Sequence, residues 1–96
     1  MLKWKSETGA NGTCYWLNLP NDIEVSLFRG NRNNSPYLYS LTRTDSRMIC
    51  HWTDHMTAEN WDRAKEKAVK KTIKIITNYL TDLAYALEAL NEESDD

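Results

Sequence analysis

Residues 57–91 have the sequence TAENWDRAKEKAVKKTIKIITNYLTDLAYALEALN, and this stretch decides the fold. Its apolar residues recur with a helical period of about 3.6, and it contains neither Gly nor Pro. Thr57 is predicted to cap the first turn, with Glu59 favouring the helix dipole and Met56 packing on Trp61 as a hydrophobic staple. The sequence therefore predicts one long C-terminal helix, about 50 Å in length at ~1.5 Å per residue.

The first 56 residues follow a different pattern, in which apolar residues alternate with a period of two between short turn segments. This pattern predicts an antiparallel meander of four or five short strands. The Asn11-Gly12 pair is expected to supply the positive φ of the first tight turn. The predicted strands are Leu2–Glu7, Thr13–Leu19, Ile23–Arg29, Tyr37–Arg43 and Arg47–Trp52.

Together the two patterns predict a single α+β domain over residues 1–96, with the helix packed across one face of the meander. A chain of 96 residues has no room for a second core, and 41% hydrophobic with 27% charged residues is typical of an ordinary folded domain. Strands of six or seven residues span only ~20 Å at ~3.3 Å per residue. We therefore expect the helix to overhang the sheet or to bend.

The alternation divides the strand residues between two faces. The face predicted to form the core carries Leu2, Trp4, Tyr15, Leu17, Leu19, Ile23, Val25, Leu27, Tyr37, Tyr39, Leu41, Met48, Cys50 and Trp52. The opposite face carries polar residues, but also Trp16, Phe28, Leu38 and Ile49. One helix covers only one face, so these four side chains and the nearby His51 are predicted to form a partner-binding patch. The alternative is that curvature of the sheet hides some of them.

The helix also carries a heptad pattern. Val69, Ile76, Leu83 and Leu90 recur every seven residues, and Ile73, Leu80 and Leu87 lie between them. One interpretation is a homodimer in which the overhanging half pairs with a second copy through Ile76, Leu80, Leu83, Leu87 and Leu90. The other is that the same residues cover the sheet of their own chain.

A basic stripe, formed by Arg63, Lys67, Lys70, Lys71 and Lys74, follows the helix at helical spacing. Residues 63–74 carry six positive charges and one negative, whereas residues 82–96 carry six negative charges and none positive. The stripe is predicted either to steer an acidic partner or nucleic acid, or to be a solvated face. The acidic residues oppose the dipole at the helix C-terminus, so we expect a frayed tail at 92–96.

Several residue types that carry chemistry are present, but their spacing predicts neither an enzyme nor a metal site. Cys50 and His51 point to opposite faces of a strand, and His51 and His55 precede the helix that would align them. A nucleophilic Cys14 or Cys50 requires a base on its own face and a lowered pKa, but both thiols fall at core-facing or near-core positions. There is no Gly-rich phosphate loop and no Gly-x-Ser-x-Gly sequence. We therefore expect no catalysis, no cofactor and no metal.

The location and partner class follow from charge and composition. Lys3 and Lys5 lie where a secretory signal requires apolar residues, and no stretch reaches the ~20 apolar residues of a membrane span. Two cysteines are too few for a disulfide framework. We expect a cytoplasmic protein without membrane contact. Its net charge of −2 disfavours a protein that coats duplex nucleic acid.

The whole chain resembles the small accessory proteins of phages and mobile elements. The resemblance lies in Trp4 of a short first strand, in the aromatic pairs of Tyr15-Trp16 and Tyr37-Leu38-Tyr39, and in a helix that opens with residues 57–65, TAENWDRAK. That class includes anti-CRISPR proteins and other host-defence inhibitors. The resemblance implies a non-catalytic protein that occupies the surface of a host protein or complex.

A second resemblance implies a different partner. The Thr-x-Glu-x-Trp helix start at residues 57–61, placed after a meander, is similar to that of the positive-cofactor-4 and Whirly type of single-strand binders. This similarity implies a single-stranded nucleic-acid-binding protein with an aromatic sheet platform and a helix-mediated dimer. The present chain differs from that type in its longer helix and in the smaller number of lysines on its sheet.

Overall fold

The computed structural model describes residues 2–32, 35–43 and 52–94. The described part of the chain forms an antiparallel sheet of five strands followed by one long helix, which is the predicted α+β meander. The elements are β1 (Lys5–Gly9), β2 (Gly12–Leu19), β3 (Ile23–Gly30), β4 (Tyr37–Arg43), β5 (Trp52–Met56) and α1 (Trp61–Ser94).

The strands are arranged in the sheet in the order in which they occur in the chain, and each pairs antiparallel with the next. The buried residues of β2, β3 and β4 are Leu17, Val25, Leu27, Tyr37, Tyr39 and Leu41. All six belong to the face predicted to form the core, so the parity assignment is confirmed for these strands. Leu2 is a correction, because it precedes β1 and is 50% exposed.

Two turns show how local backbone chemistry sets the hairpins. The β1–β2 turn consists of Ala10 and Asn11, and Gly12 is already the first residue of β2, opposite Gly9. The predicted Asn11-Gly12 turn is therefore shifted by one residue. Gly12 has a φ of 154°, and a Cβ there would collide with the backbone oxygen of Arg29 and with the ring of Phe28. Glycine at this position permits the close approach of β2 to β3.

The β2–β3 turn has a different backbone conformation. Pro20 follows the end of β2, and Asn21 and Asp22 adopt the left-handed conformation with φ values of 65° and 62°. Asn and Asp tolerate this region better than other residues with a Cβ, because their short polar side chains can form local hydrogen bonds. The three-residue turn brings Leu19 opposite Ile23.

The last strand differs from its prediction. Residues 44–51 lie outside the described residues, and so do most of the predicted strand Arg47–Trp52 and the predicted core positions Met48 and Cys50. The described β5 begins at Trp52 and ends at Met56, and Met56 pairs with Tyr37 of β4. Met56 is buried in the core.

The helix start is also a correction. Asn60, not Thr57, is the N-cap: its Oδ1 accepts a hydrogen bond of 2.9 Å from the backbone N–H of Arg63, and the helix begins at Trp61. Asp62 is then the acidic residue of the first turn. Met56 belongs to β5, four residues before this cap, and so it is not the staple partner predicted for Trp61.

The helix packs closely on the sheet because it presents small residues to large ones. Ala64, Ala68 and Thr72 are buried against the core of the sheet. Their small side chains leave room for the rings of Tyr37 and Tyr39, which are fully buried. This pairing of small helix residues with large strand residues lets the helix approach the sheet closely.

One buried polar contact fixes the helix against β4. The Thr72 hydroxyl donates to the Ala68 carbonyl at 2.8 Å, and the Tyr39 hydroxyl lies 2.6 Å from Thr72 Oγ1. Thr72 Oγ1 has a single proton, so Tyr39 is the donor of the second bond. This interaction specifies both the rotation of the helix and its position along β4.

At its start the helix is held by contacts between aromatic rings. Trp61 contacts Tyr15 with a centroid distance of 4.6 Å and Tyr37 edge-on at 4.8 Å. Lys65 lies over the Tyr15 ring at 4.0 Å, and Arg29 lies over the Tyr37 ring at 4.8 Å. Offset and edge-on rings with flanking cations are favourable geometries.

The helix overhangs the sheet, as the length comparison predicts. Its 34 residues form the long dimension of a molecule that measures 61 × 24 × 24 Å. The last buried helix residue is Thr72 and the last half-buried one is Ile76, whereas residues 77–93 are all exposed. The helix ends at Ser94, so Glu92 and Glu93 of the predicted frayed tail are helical.

Thr72→Val is expected to lower the free energy of unfolding by about 1–3 kcal/mol, because it removes both bonds of a buried hydroxyl. Thr81→Val is the matched control: Thr81 donates to the Thr77 carbonyl at 3.0 Å in the same way, but it is exposed. Urea denaturation of both variants measures the difference. Equal losses would contradict a structural role for the Tyr39–Thr72 contact.

Candidate functional site

The sheet face opposite the helix, called here the open face, carries a row of neighbouring side chains. Cys14 pairs with Phe28, Phe28 pairs with Leu38, and Leu38 pairs with His55. Directly paired residues of antiparallel strands have Cβ atoms only ~5 Å apart. The register therefore brings Phe28 and Leu38, two of the predicted patch residues, into side-by-side positions.

Trp16 extends this row toward the sheet edge. It lies two residues beyond Cys14 on β2 and pairs with Lys5 and Ser26, which makes it the diagonal neighbour of Phe28. Phe28 is 37% exposed, and Trp16 and Leu38 are half-buried. The three predicted residues thus form one continuous, partly exposed apolar patch.

Two of the five predicted patch residues, Ile49 and His51, lie outside the described residues. His55 occupies a position on the open face that the sequence reasoning did not assign. It is exposed, and its register partner is Leu38. The period-two alternation continues through Met56, and this signal would have extended the last predicted strand toward the helix and placed His55 on the open face.

The described open face carries charges of both signs. Lys5 pairs with Trp16, whereas Glu7 pairs with Cys14 and Glu24 pairs with Asn18. Burial raises the pKa of the Cys14 thiol, and the carboxylates of Glu24 and Glu7 raise it further. Cys14 therefore remains a protonated thiol at neutral pH, in contrast to an activated nucleophile. Its place on the open face corrects the expectation of a core-facing or near-core position.

The predicted basic stripe is divided by local contacts. Arg63 forms an ion pair with Glu66 at 3.0 Å, and the Lys67 ammonium donates to the Thr57 carbonyl at 2.6 Å. These bonds hold two of its cations against their own chain. Lys70 and Lys74 are exposed, and the structure shows them no partner among the described residues.

Lys71 is engaged with the sheet. Its ammonium lies 2.5 Å from Asp54 Oδ2 and over the ring of Tyr39 at 5.7 Å. The bond from Lys71 lowers the pKa of Asp54, and the backbone N–H of His55, 2.8 Å from Oδ1, lowers it further. This ion pair ties β5 to the helix, so Lys71 is a structural residue.

Lys71→Met is expected to raise the pKa of Asp54 toward its ordinary value of 3.8, because the first cause of its lowering is lost. A carboxyl with a lowered folded-state pKa contributes stability above its unfolded pKa, and that contribution disappears as the pH falls through the folded value. Side-chain NMR titration measures the shift. Lys70→Met is the control and should leave Asp54 unchanged, whereas an unchanged Asp54 in Lys71→Met would contradict the ion pair.

The heptad residues lie at different distances from the sheet. Ile76 is half-buried, whereas Leu80 (60%), Leu83 (43%), Leu87 (59%) and Leu90 (64%) are exposed. These four leucines therefore do not cover the sheet of their own chain. Beside the helix, an apolar groove of about 360 Å³ runs between Leu17 and Leu19 of β2 and Val69, Ile73 and Ile76 of α1.

The described residues contain no group of three or more His, Cys, Asp or Glu side chains that could hold a metal ion. Among the same residues, no helix combines the length and the apolar character that a membrane span requires. Comparison of the chain with protein-family models, with curated proteins and with solved structures found no match.

Proposed function

We propose that the protein is a non-catalytic binding module whose open face occupies the surface of a host protein. The observation that carries this proposal is the cross-strand pair of Phe28 and Leu38 with Trp16 as its diagonal neighbour, on the face that α1 does not cover. Aromatic anchors at the centre of a patch contribute most of the binding energy of protein interfaces. Ile49 and His51 are proposed as further contacts of the same surface.

The charge of the open face favours a protein partner over single-stranded nucleic acid. A nucleic-acid platform combines aromatic side chains with a positively charged groove that follows the phosphates. Here Glu7 and Glu24 share the described face with Lys5. These carboxylates would repel a phosphate backbone, whereas a mixed polar rim around an apolar centre is typical of protein interfaces.

The biological setting proposed for this surface is that of a phage or mobile-element accessory protein acting in the cytoplasm. Its role would be inhibition by occupation, as in anti-CRISPR proteins, and it requires no cofactor. The protonated Cys14 thiol supports the non-catalytic part of this proposal. A homodimer through α1, supported by the exposed leucines at 80, 83, 87 and 90, belongs to the same proposal.

Trp16→Ala is expected to weaken partner binding about 30-fold, because loss of a buried aromatic anchor typically costs ~2 kcal/mol. The partner is first captured from host lysate on the immobilised protein and identified, and its affinity for each purified variant is then measured by calorimetry. Tyr85→Ala is the control, since Tyr85 is an aromatic residue 68% exposed on the helix, away from the open face.

The melting temperature of Trp16→Ala should stay close to that of the native protein. If this substitution unfolds the domain, Trp16 belongs to the core and the proposed surface is wrong. If the affinity stays unchanged in a folded Trp16→Ala protein, the partner binds elsewhere.

Nucleic-acid binding is tested separately by fluorescence anisotropy with a single-stranded oligonucleotide at two salt concentrations. Binding that weakens steeply with salt and is lost in Trp16→Ala would favour a single-strand binder over the proposed protein-binding module. The proposal predicts no such binding.

A further inference from the structure

From residue 69 to residue 90 the helix carries a regular apolar seam, defined here as Val69, Ile73, Ile76, Leu80, Leu83, Leu87 and Leu90. The seam is not the surface that packs on the sheet. Ala68 and Thr72 face the sheet, whereas Ile73 and Leu80 lie about 100° further round the helix at ~100° per residue. A second helix therefore has access to the seam beside α1, without displacing the sheet.

The groove beside α1 continues this seam onto the sheet. Val69, Ile73 and Ile76 form its helix side, and Leu17 and Leu19 form its strand side. Ile73 is 60% exposed in this groove, whereas Val69 and Ile76 are half-buried, so the first half of the seam is only partly covered. A helix that follows the seam from Leu90 back to Val69 ends in the groove, over β2.

Charge identifies what fits there. Residues 63–74 carry six positive charges and one negative, and residues 82–96 carry six negative charges and none positive. A second copy that runs antiparallel places its acidic half beside the basic half of the first, whereas a parallel copy places like charges together. The antiparallel arrangement is also favourable because the two helix dipoles then point in opposite directions.

The spacing of the seam supplies a register for that arrangement. In an antiparallel pair each a position faces a d position of the other helix. One such alignment pairs six of the seven seam residues: Leu80 faces Leu83 of the second copy, Ile76 faces Leu87, and Ile73 faces Leu90. The same alignment carries residues 91–94 of the second copy toward Val69 and the end of the groove.

The flanking residues fit the same register. Tyr79 then faces Ala86 of the second copy, and Thr77 faces Ala84, so each larger side chain meets a smaller one. Tyr79 is 38% exposed in the single chain and has space to cover Ala86. Small uncharged side chains beside the seam allow the two helices to approach closely. A coiled coil with charged, solvent-exposed flanking residues does not require so close an approach.

We propose that two copies of the chain form an antiparallel helix pair, in which the C-terminal end of each α1 fills the groove of the other. The apolar seam supplies the affinity, and the two charged halves set the orientation.

Sedimentation equilibrium at tens of micromolar tests the pairing. The native protein is expected to be a dimer. Leu83→Glu should raise its dissociation constant about 100-fold or more, because the symmetric interface would bury two new carboxylates, one from each copy. Tyr85→Glu is the matched control: Tyr85 is also a large side chain, 68% exposed, but it lies on the opposite side of the helix. It should remain dimeric. A native protein that sediments as a monomer overturns the proposal.

Disulfide cross-linking tests the orientation and the register. In a Cys14→Ser/Cys50→Ser background that sediments as a dimer, Ile73→Cys and Leu90→Cys chains are prepared separately and then mixed. Facing positions of the proposed register bring the two sulfurs within bonding distance, so only the mixture should cross-link. Chains that cross-link with their own kind show a parallel pair and overturn the proposal. A dimer without any cross-link overturns the register.

This inference rests on the homodimer of the proposed function and deepens it, but it does not depend on the open face. Trp16→Ala alters only the open face, and it should sediment as the native dimer does. Loss of partner binding in a dimeric Trp16→Ala protein therefore bears on the open face, whereas loss of the dimer in Leu83→Glu bears on the seam.

Discussion

The structure depends on a mismatch between its helix and its sheet. The sheet has two faces, but the described part of the chain has only one helix to cover them, and that helix is longer than the sheet. The helix covers the sheet with residues 61–76, and residues 77–93 are exposed. Burial of apolar surface at ~25 cal/mol per Å² drives the first half onto the sheet, but it leaves the second half and the opposite face without cover. Both candidate surfaces of this protein follow from this mismatch.

The helix keeps its position because its contact with the sheet is specific. Apolar packing alone tolerates small rotations and shifts, whereas a buried hydroxyl pair has one geometry in which both groups are satisfied. Tyr39 and Thr72 supply that geometry in the middle of the contact, and Trp61 between Tyr15 and Tyr37 supplies a second fixed point at the start of the helix. This fixed rotation turns the seam away from the sheet and leaves it accessible.

The sequence predicts the features that depend on periodicity, and it fails where local chemistry competes. Alternation assigned the buried faces of β2, β3 and β4 correctly, because a shift by one residue would have exposed all of Leu17, Val25 and Tyr39. The helix start was wrong because Thr57 and Asn60 are both good caps, and the strand that continues to Met56 decides between them. The four residues between β5 and α1 contain both caps, so composition alone does not place the boundary.

The candidate site was also predicted where it depends on periodicity and missed where it depends on contacts between elements. The neighbouring positions of Trp16, Phe28 and Leu38 required strand register, which parity alone does not supply, although parity did place them on one face. The basic stripe was predicted from spacing as one surface. Its division arises from long-range contacts, chiefly Lys71 with Asp54, which are separated by 17 residues in the chain. Side chains that pair across elements are not visible in a helical pattern.

The proposed helix pair has a consequence for how the open face works. The two-fold axis of an antiparallel pair is perpendicular to the plane of the two helices, and the sheets lie about a quarter turn from the seam. Both sheets therefore lie on the same side of the pair, with their open faces pointing in one direction. Their centres, near residue 68 of each helix, are about 40 Å apart at ~1.5 Å per residue. A host assembly that repeats its binding surface at this spacing would be bound by both copies at once, and the second contact forms at a high effective concentration. Under the proposed function, two patches of modest size would then suffice for stable occupation, although each open face has only three described large apolar residues.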